Sequence, residues 1–261
     1  MQGEEALDVV PLWALLVAVL LLVLLSVECG YRLGRRGRRP DQEKDSPLGE
    51  MIGATLGLLA FLLAFTFGLA ASRYDTRRQL LLDEANAIGT TYLRAALLPE
   101  GRGDVESLLK QYVDLRLDAA RARPPSHAMR RAEALQQQLW TRAAAVARQA
   151  QDSILAGLFV QSLNELIDLH AKRVTADVRN RIPLAIWASL YGVTILSFAV
   201  LGYHAGVAGT RRSPAIVPVA VTFAVVIWLI ADLDRPQEGM LTLSQQALID
   251  VRASMHAPGQ Q

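Results

Sequence analysis

MIGATLGLLAFLLAFTFGLAA, residues 51–71, contains no charged side chain. A helix needs about 20 apolar residues to cross ~30 Å of hydrocarbon. Helices suit that solvent because each backbone N–H and C=O finds its partner within the segment. Three other runs, 9–27, 183–203 and 215–231, are equally apolar and free of charge. The expected fold is all-α: an integral membrane protein with four transmembrane helices and a helical bundle inserted between helices two and three. The expected layout is a tail (1–8), a first span (9–28), a basic cytoplasmic loop (29–50), a second span (51–71), an extramembrane helical bundle (72–182), a third span (183–203), a short basic loop (204–214), a fourth span (215–231) and a C-terminal tail with a short helix (232–261).

Composition agrees with a membrane protein. Hydrophobic residues make up 52% of the chain, and 27 Lys and Arg face 25 Asp and Glu. That balance leaves no clustered basic face of the kind nucleic acid requires. The single cysteine, Cys29, cannot form an intrachain disulfide and reads as a small apolar residue where the first span meets the surface. A cleaved signal peptide would carry a basic n-region. Here Glu4, Glu5 and Asp8 precede the first run and the basic residues follow it. It reads as a retained anchor.

Lys and Arg in short loops mark the cytoplasmic side. Arg32, Arg35, Arg36, Arg38, Arg39 and Lys44 lie between spans one and two, and Arg211 and Arg212 between spans three and four. Both loops are expected in the cytoplasm, which puts the bundle and both termini on the outer side of the cell (inner) membrane. Arg73, Arg77 and Arg78 after span two, with Arg179 and Arg181 before span three, pull the other way. Long domains cross largely regardless of charge, so the short loops decide. A cysteine introduced at Arg102 should react with an impermeant thiol reagent on intact cells, and one at Arg36 should not. The opposite labelling pattern would invert the orientation.

The polar domain reads as helices throughout. Span two runs on without proline to Leu98, with Leu81, Ala85, Ile88, Tyr92 and Ala95 on one face. Pro99 and the Gly101–Gly103 turn end it. Asp104 is the expected N-cap of the next helix, whose apolar face is Val105, Leu108, Leu109, Tyr112 and Val113. Pro124 and Pro125 end that helix, and Ser126 opens a third with Met129, Ala132, Leu135, Leu139 and Val146 inward. A fourth helix is expected to turn Ile154, Leu158, Leu163, Leu166, Ile167 and Val174 inward and to lead to Pro183. Ser244 should open a last short helix carrying Leu248, Ile249 and Val251.

In span two, Gly53 and Gly57 form a G-x-x-x-G pair, and Ala60, Ala64, Gly68 and Ala71 extend a small-residue stripe that would let helix backbones approach. Phe61 and Phe65 stand on a neighbouring stripe. They serve either as lipid or intersubunit contacts or as a pore constriction that gates by dewetting. Span three offers a comparable face in Ala185, Ser189, Gly192 and Ala199. The hydroxyls of Ser189, Thr194 and Ser197 are expected on their own helix carbonyls.

No Asp, Glu, Lys, Arg or His lies within the four apolar runs, as a proton relay or voltage sensor would require. His127, His170, His204 and His256 show no metal-ligand spacing. No phosphate loop or nucleophile elbow occurs. Glu165 and Asp168 share a helix face and read as solvated. The chain is therefore not expected to be an enzyme or to hold a cofactor or metal. Two polar constellations stand out. One is Asp83-Glu84-Ala85-Asn86-Ala87-Ile88-Gly89-Thr90-Thr91, where Asn86, Gly89 and Thr90 are poor helix formers placed mid-helix. It reads either as a tight interhelical contact or as a lining that water or ions reach. The other is Asp232-Leu233-Asp234-Arg235-Pro236, closed by Gly239. It reads either as a helix stop with a snorkelling arginine or as an ion pair of Arg235 with one of the aspartates or with the base of the bundle, where Arg73, Asp75, Arg179 and Arg181 are expected at similar depth.

The run Gly57–Gly68, the Asp83–Thr90 segment, Ile182-Pro183 and Asp232-Leu-Asp234-Arg235-Pro236-x-x-Gly239 resemble the bestrophin-like domain family of bacterial membrane proteins. The resemblance covers roughly residues 51–251. It implies kinship with bestrophins, pentameric anion channels whose narrow neck is lined by apolar residues of the second span. Phe61 and Phe65 match that neck by residue type and span. Two departures are visible. Bestrophins keep their termini and large domain in the cytoplasm, against the loop charges here. They also use acidic calcium ligands, and no matching cluster is present.

Two functional readings follow. One is an oligomeric, channel-like protein passing small ions through a pore lined by span two. The other is a non-conducting membrane scaffold or sensor whose bundle binds a partner. The expected partners are the lipid bilayer and further copies of the chain, with no nucleic acid.

Overall fold

A computed structural model describes residues 10–37, 48–98, 101–121, 126–150, 152–178, 181–209, 216–235 and 239–257. The acids before Val9, the bases Arg38, Arg39, Lys44, Arg179, Arg211 and Arg212, and Pro99, Pro124, Pro125, Pro236 and Glu238 lie outside the described residues, as does the side chain of Met129. The described residues form helices and no strand: α1 (Leu12–Gly37), α2 (Leu48–Ala95), α3 (Arg102–Arg121), α4 (Ser126–Gln149), α5 (Ile154–Val178), α6 (Leu184–Val207), α7 (Ile216–Asp234) and α8 (Gln246–His256). Helices α1, α2, α6 and α7 contain stretches long and apolar enough to cross a membrane, with mean hydropathy from 2.0 to 2.7. Less than half of each stretch is buried among the described residues. Apolar surface on that scale is stable against lipid, not water. The protein is an all-α integral membrane protein.

The chain forms two compact units. The first comprises Met1–Tyr74 and Arg181–Leu241. Its core joins Val19 and Val23 of α1, Leu59 and Leu63 of α2, Phe198 of α6 and Ile227 of α7. Phe198 meets Phe223 edge-on at 5.5 Å between ring centroids, the geometry favoured by the ring quadrupoles. Helices α1 and α6 run parallel in close contact. Gly30 and Gly34 face the carbonyls of Ala199 and Tyr203, while Gly202 and Gly206 face those of Val27 and Tyr31. A Cβ at any of the four would overlap the facing carbonyl.

This seam is not the one expected from the small residues of span two. Among the described residues, nothing beyond the adjoining turns of the same helix lies within 4 Å of where a side chain would begin at Gly53, Gly57, Gly68 or Gly192. On α2 the packing falls instead to Leu59, Leu63, Thr66 and Ala70. Helix α1 runs on to Gly37, so the first nine residues of the expected 29–50 loop are helical. Ser189 and Thr194 bond their own helix carbonyls as expected, but Ser197 donates across to the Thr55 carbonyl of α2 at 3.3 Å.

The second unit comprises Asp75–Asn180 and Thr242–Gln261. Ile88 of α2, Leu109 and Val113 of α3, Leu139 of α4, Leu163 and Leu166 of α5 and Leu248 of α8 share its core. Helices α2 and α5 run antiparallel there, and Arg94 Nη1 donates to the Leu158 carbonyl at 2.8 Å. Ile154 and Leu158 do not face inward; they are 80% and 38% exposed. Ser153 Oγ accepts the Ala156 N–H at the start of α5, and the inward stripe is Ala156, Phe159, Leu163 and Leu166. Asp104 is not a cap. Gly101, at φ 73°, makes the turn, a conformation glycine adopts without steric cost. Helix α3 begins at Arg102, so Asp104 lies in its first turn and meets Arg142 at 3.4 Å. Helix α8 begins two residues after Ser244 and belongs to this unit, held by an Arg252–Asp114 ion pair at 2.6 Å.

Candidate functional site

Helix α2 carries most of the residues singled out in the sequence, and its burial sorts them around the axis. In the first unit, Gly53, Gly57, Phe61, Phe65 and Gly68 are all exposed, with Phe61 and Phe65 at 66% and 65%. They lie opposite the buried row Leu59, Leu63, Thr66 and Ala70. In the second unit the same helix separates Glu84, fully buried, from Asn86 and Thr90, both exposed. Of the poor helix formers in this segment only Gly89 is half-buried, with Val251 Cγ2 4.0 Å from where its side chain would begin.

Glu84 is the centre of a buried polar cluster contributed by four helices. Arg116 of α3 grips both carboxylate oxygens, Nε at 3.0 Å from Oε1 and Nη2 donating to Oε2 at 3.1 Å. Arg173 Nη1 of α5 donates to Oε2. Tyr112 of α3 donates its hydroxyl proton to Oε1 at 2.9 Å and accepts from Gln136 Nε2 of α4 at 3.3 Å. The tyrosine has one proton to give, so His170 Nδ1 of α5, 2.9 Å away, donates to it. Helix periodicity alone brings these groups inward: Glu84 is one turn from Ile88, Tyr112 and Arg116 one turn apart, and Arg173 one turn beyond His170.

Burial on its own would raise the Glu84 pKa. The neighbouring His170 and the charges of Arg116 and Arg173 outweigh it and hold the carboxyl well below the usual range. Burial, reinforced by the Glu84 charge, pushes the Tyr112 hydroxyl well above its ordinary value. Asp177 is raised, because burial exceeds the opposing pull of Arg173, Arg116 and Arg77.

The second constellation belongs to the first unit. Asp234 Oδ1 accepts the Ile182 N–H at 3.0 Å and lies 3.9 Å from Arg73 Nη1. Asp232 Oδ1 accepts the Met240 N–H at 3.0 Å, and Gly239, at φ 132°, lies so close to that carboxylate that a Cβ would overlap it. Arg235 is 5% exposed and buried, not snorkelling. The group ties the end of α7 to the start of α6 and to the following turn. It is distinct from the Glu84 cluster, and neither includes Asn86 or Thr90. Among the described residues no group of three or more metal-ligating side chains occurs.

A family model described as the bestrophin-like domain matches residues 17–248. This chain belongs to the bestrophin-like domain family. No curated protein matches it. Its fold is similar to that of a bacterial bestrophin homologue from Klebsiella pneumoniae, solved as a point mutant, with TM-score 0.65 and 15% identity over 94% of this chain and 98% of that one. It is also similar to the crystal structure of a membrane protein variant, with TM-score 0.61 and 16% identity over 92% and 95% of the two chains.

Two sets of residues in this family member escaped sequence reasoning. Gly30-x-x-x-Gly34 and Gly202-x-x-x-Gly206 are both legible as small-residue pairs, but nothing in either shows that they face each other. The partners of Glu84 carry no local signal. Arg173 is 89 positions away in sequence, and only the packing of α5 against α2 brings it near.

Proposed function

We propose that this bestrophin-like protein is a homo-oligomeric, channel-like membrane protein in which the uncovered face of α2 lines a path for small ions. The observation that carries this reading is the exposure of that face. Phe61, Phe65, Gly68 and Ser72 follow one another at spacings of four, three and four, and Asn86, Thr90 and Leu93 continue the same repeat. All are exposed, opposite the row by which α2 packs. The span part of the face is apolar, and its two phenylalanines supply a constriction that gates by dewetting. The part beyond the span is mostly polar, as a water-filled vestibule requires. Family membership and the fold shared with a bacterial bestrophin homologue support the reading.

One such helix cannot enclose a pore, so several copies must surround an axis. The native mass in mild detergent should correspond to more than two chains; a monomer or dimer would contradict the reading. The short-loop charges, with Arg32, Arg35 and Arg36 near the end of α1, support a reading in which the second unit and the termini lie on the outer side of the inner membrane. The thiol-labelling experiment described above decides that point. An oligomer that passes no ions would instead be a scaffold whose second unit binds a partner.

A further inference from the structure

We infer that the end of α1 holds an anionic phospholipid, with its phosphate on Arg32, Arg35 and Arg36 and an acyl chain along the uncovered side of the helix. This does not depend on the pore reading of α2. Every fourth residue of α1 from Trp13 to Leu33 is exposed: Trp13, Val17, Leu21, Leu25, Cys29 and Leu33. Residues four apart form a continuous ridge on a helix surface, so one apolar track runs along the span to the basic end. Leu21 and Leu25 are 54% and 67% exposed. Arg32 and Arg36 stand three and seven residues beyond Cys29, on the same side. Arg32, Arg35 and Arg36 are all exposed. At 3.6 residues per turn, the three lie within about 60° of the line opposite Gly30 and Gly34. Those glycines hold α1 against α6, so the seam turns the arginines outward and fixes this end of the helix.

More positive charge stands on this end of α1 than the helix itself neutralises. Arg32 Nε pairs with Glu28 Oε1 at 2.7 Å, and the arginine side chain is still 74% exposed. One glutamate against three arginines leaves two positive charges. Arg35 and Arg36 lie in the last turn of α1 and so also meet the helix dipole, which amounts to about half a negative charge. The dipole therefore leaves an excess of positive charge beside the hydrocarbon boundary. A guanidinium presents paired N–H donors that match phosphate oxygens. A soluble phosphate would meet only these groups, whereas a lipid meets the arginines and the apolar track in one molecule. Tyr203 of α6, 38% exposed, borders the same end across Gly34 and suits the interface, where tyrosine is enriched.

The test is native mass spectrometry of the full-length protein, released from mild detergent with phosphatidylglycerol or phosphatidylcholine of identical chains. The wild type should retain phosphatidylglycerol in preference. Each basic residue near a membrane surface contributes about fivefold to affinity for anionic lipid. Arg35→Gln combined with Arg36→Gln should therefore weaken that retention on the order of 25-fold. Both side chains are exposed, so an unchanged elution profile reports intact protein. Raising the salt concentration should weaken the wild-type preference with no substitution at all. Glycerol phosphate, a headgroup without chains, should not compete at the concentration of the lipid. Equal retention of the two lipids by the wild type overturns the inference. So does a preference that the double variant or high salt leaves unmoved, and so does competition by glycerol phosphate. Retention of neither lipid also overturns it; a Cys29 that then resists a thiol reagent would give this side of α1 to a second copy of the chain.

Discussion

Glu84→Ala should destabilise the second unit by about 3–5 kcal/mol, the cost of breaking a buried ion pair from one side. The substitution removes the one carboxylate that Arg116 grips with both oxygens and that Arg173 also contacts. Both guanidinium groups stay in the interior, and Tyr112 loses the acceptor for its hydroxyl. A buried cation without its partner costs far more than the pair contributes. The readout is thermal unfolding in detergent, followed by hydrogen exchange to locate the loss. Exchange should quicken in α3 and α5, and the seam between α1 and α6 should stay protected. An unchanged unfolding temperature would show that the cluster carries little of the unit's stability.

The effect has a defined pH dependence. The Glu84 carboxyl titrates lower in the folded chain than in the unfolded one. Its stabilisation is therefore fully present above the unfolded value, about 4.3, and is lost as pH falls through the folded value. The difference between wild type and Glu84→Ala should be constant near neutrality and shrink in acid. Asp177, whose pKa is raised, acts in the opposite sense. Its contribution is present below the unfolded value and lost as pH rises through the folded one.

Gly202→Val should separate α1 from α6. A side chain there meets backbone, the Val27 carbonyl, and backbone cannot swing aside as a flexible side chain can. Overpacking of an ordinary core costs about 1–3 kcal/mol. The cost here should lie at or beyond the upper end, because the neighbouring glycines Gly30, Gly34 and Gly206 fix the same separation. Gly57→Ala is the matched control. Among the described residues, no atom beyond the adjoining turns of α2 lies within 4 Å of the added methyl, so the single subunit should be indifferent to it. Thermal unfolding in detergent should fall sharply for Gly202→Val and hardly at all for Gly57→Ala. Equal tolerance of both would mean that α1 and α6 are not in backbone contact.

The membrane-spanning helices were legible because lipid imposes a rule on composition that no tertiary contact can override. Which small residues pack was not. Gly53 and Gly202 sit in equally apolar helices, and each has a glycine four residues on. Only the pairing of α1 with α6 tells them apart. The inward face of α2 was legible from Leu81, Ala85 and Ile88 because that stripe is apolar. Glu84 was conspicuous, but its burial was not, since a carboxylate one position from a core residue usually faces water. Asn86 and Thr90 suit either an interhelical contact or a lining, and both are exposed. The reach of Asp234 to the Ile182 N–H depends on a loop closure that spacing cannot reveal.

The most direct measurement is the current through the reconstituted oligomer in a planar bilayer, compared with that of Phe61→Ala plus Phe65→Ala. Ion flux is expected from the wild type. It should rise in the double variant, because smaller side chains widen the apolar constriction and let water remain in it. A pure, correctly assembled wild type that passes no ions would contradict the account, and so would a current that ignores the loss of both rings.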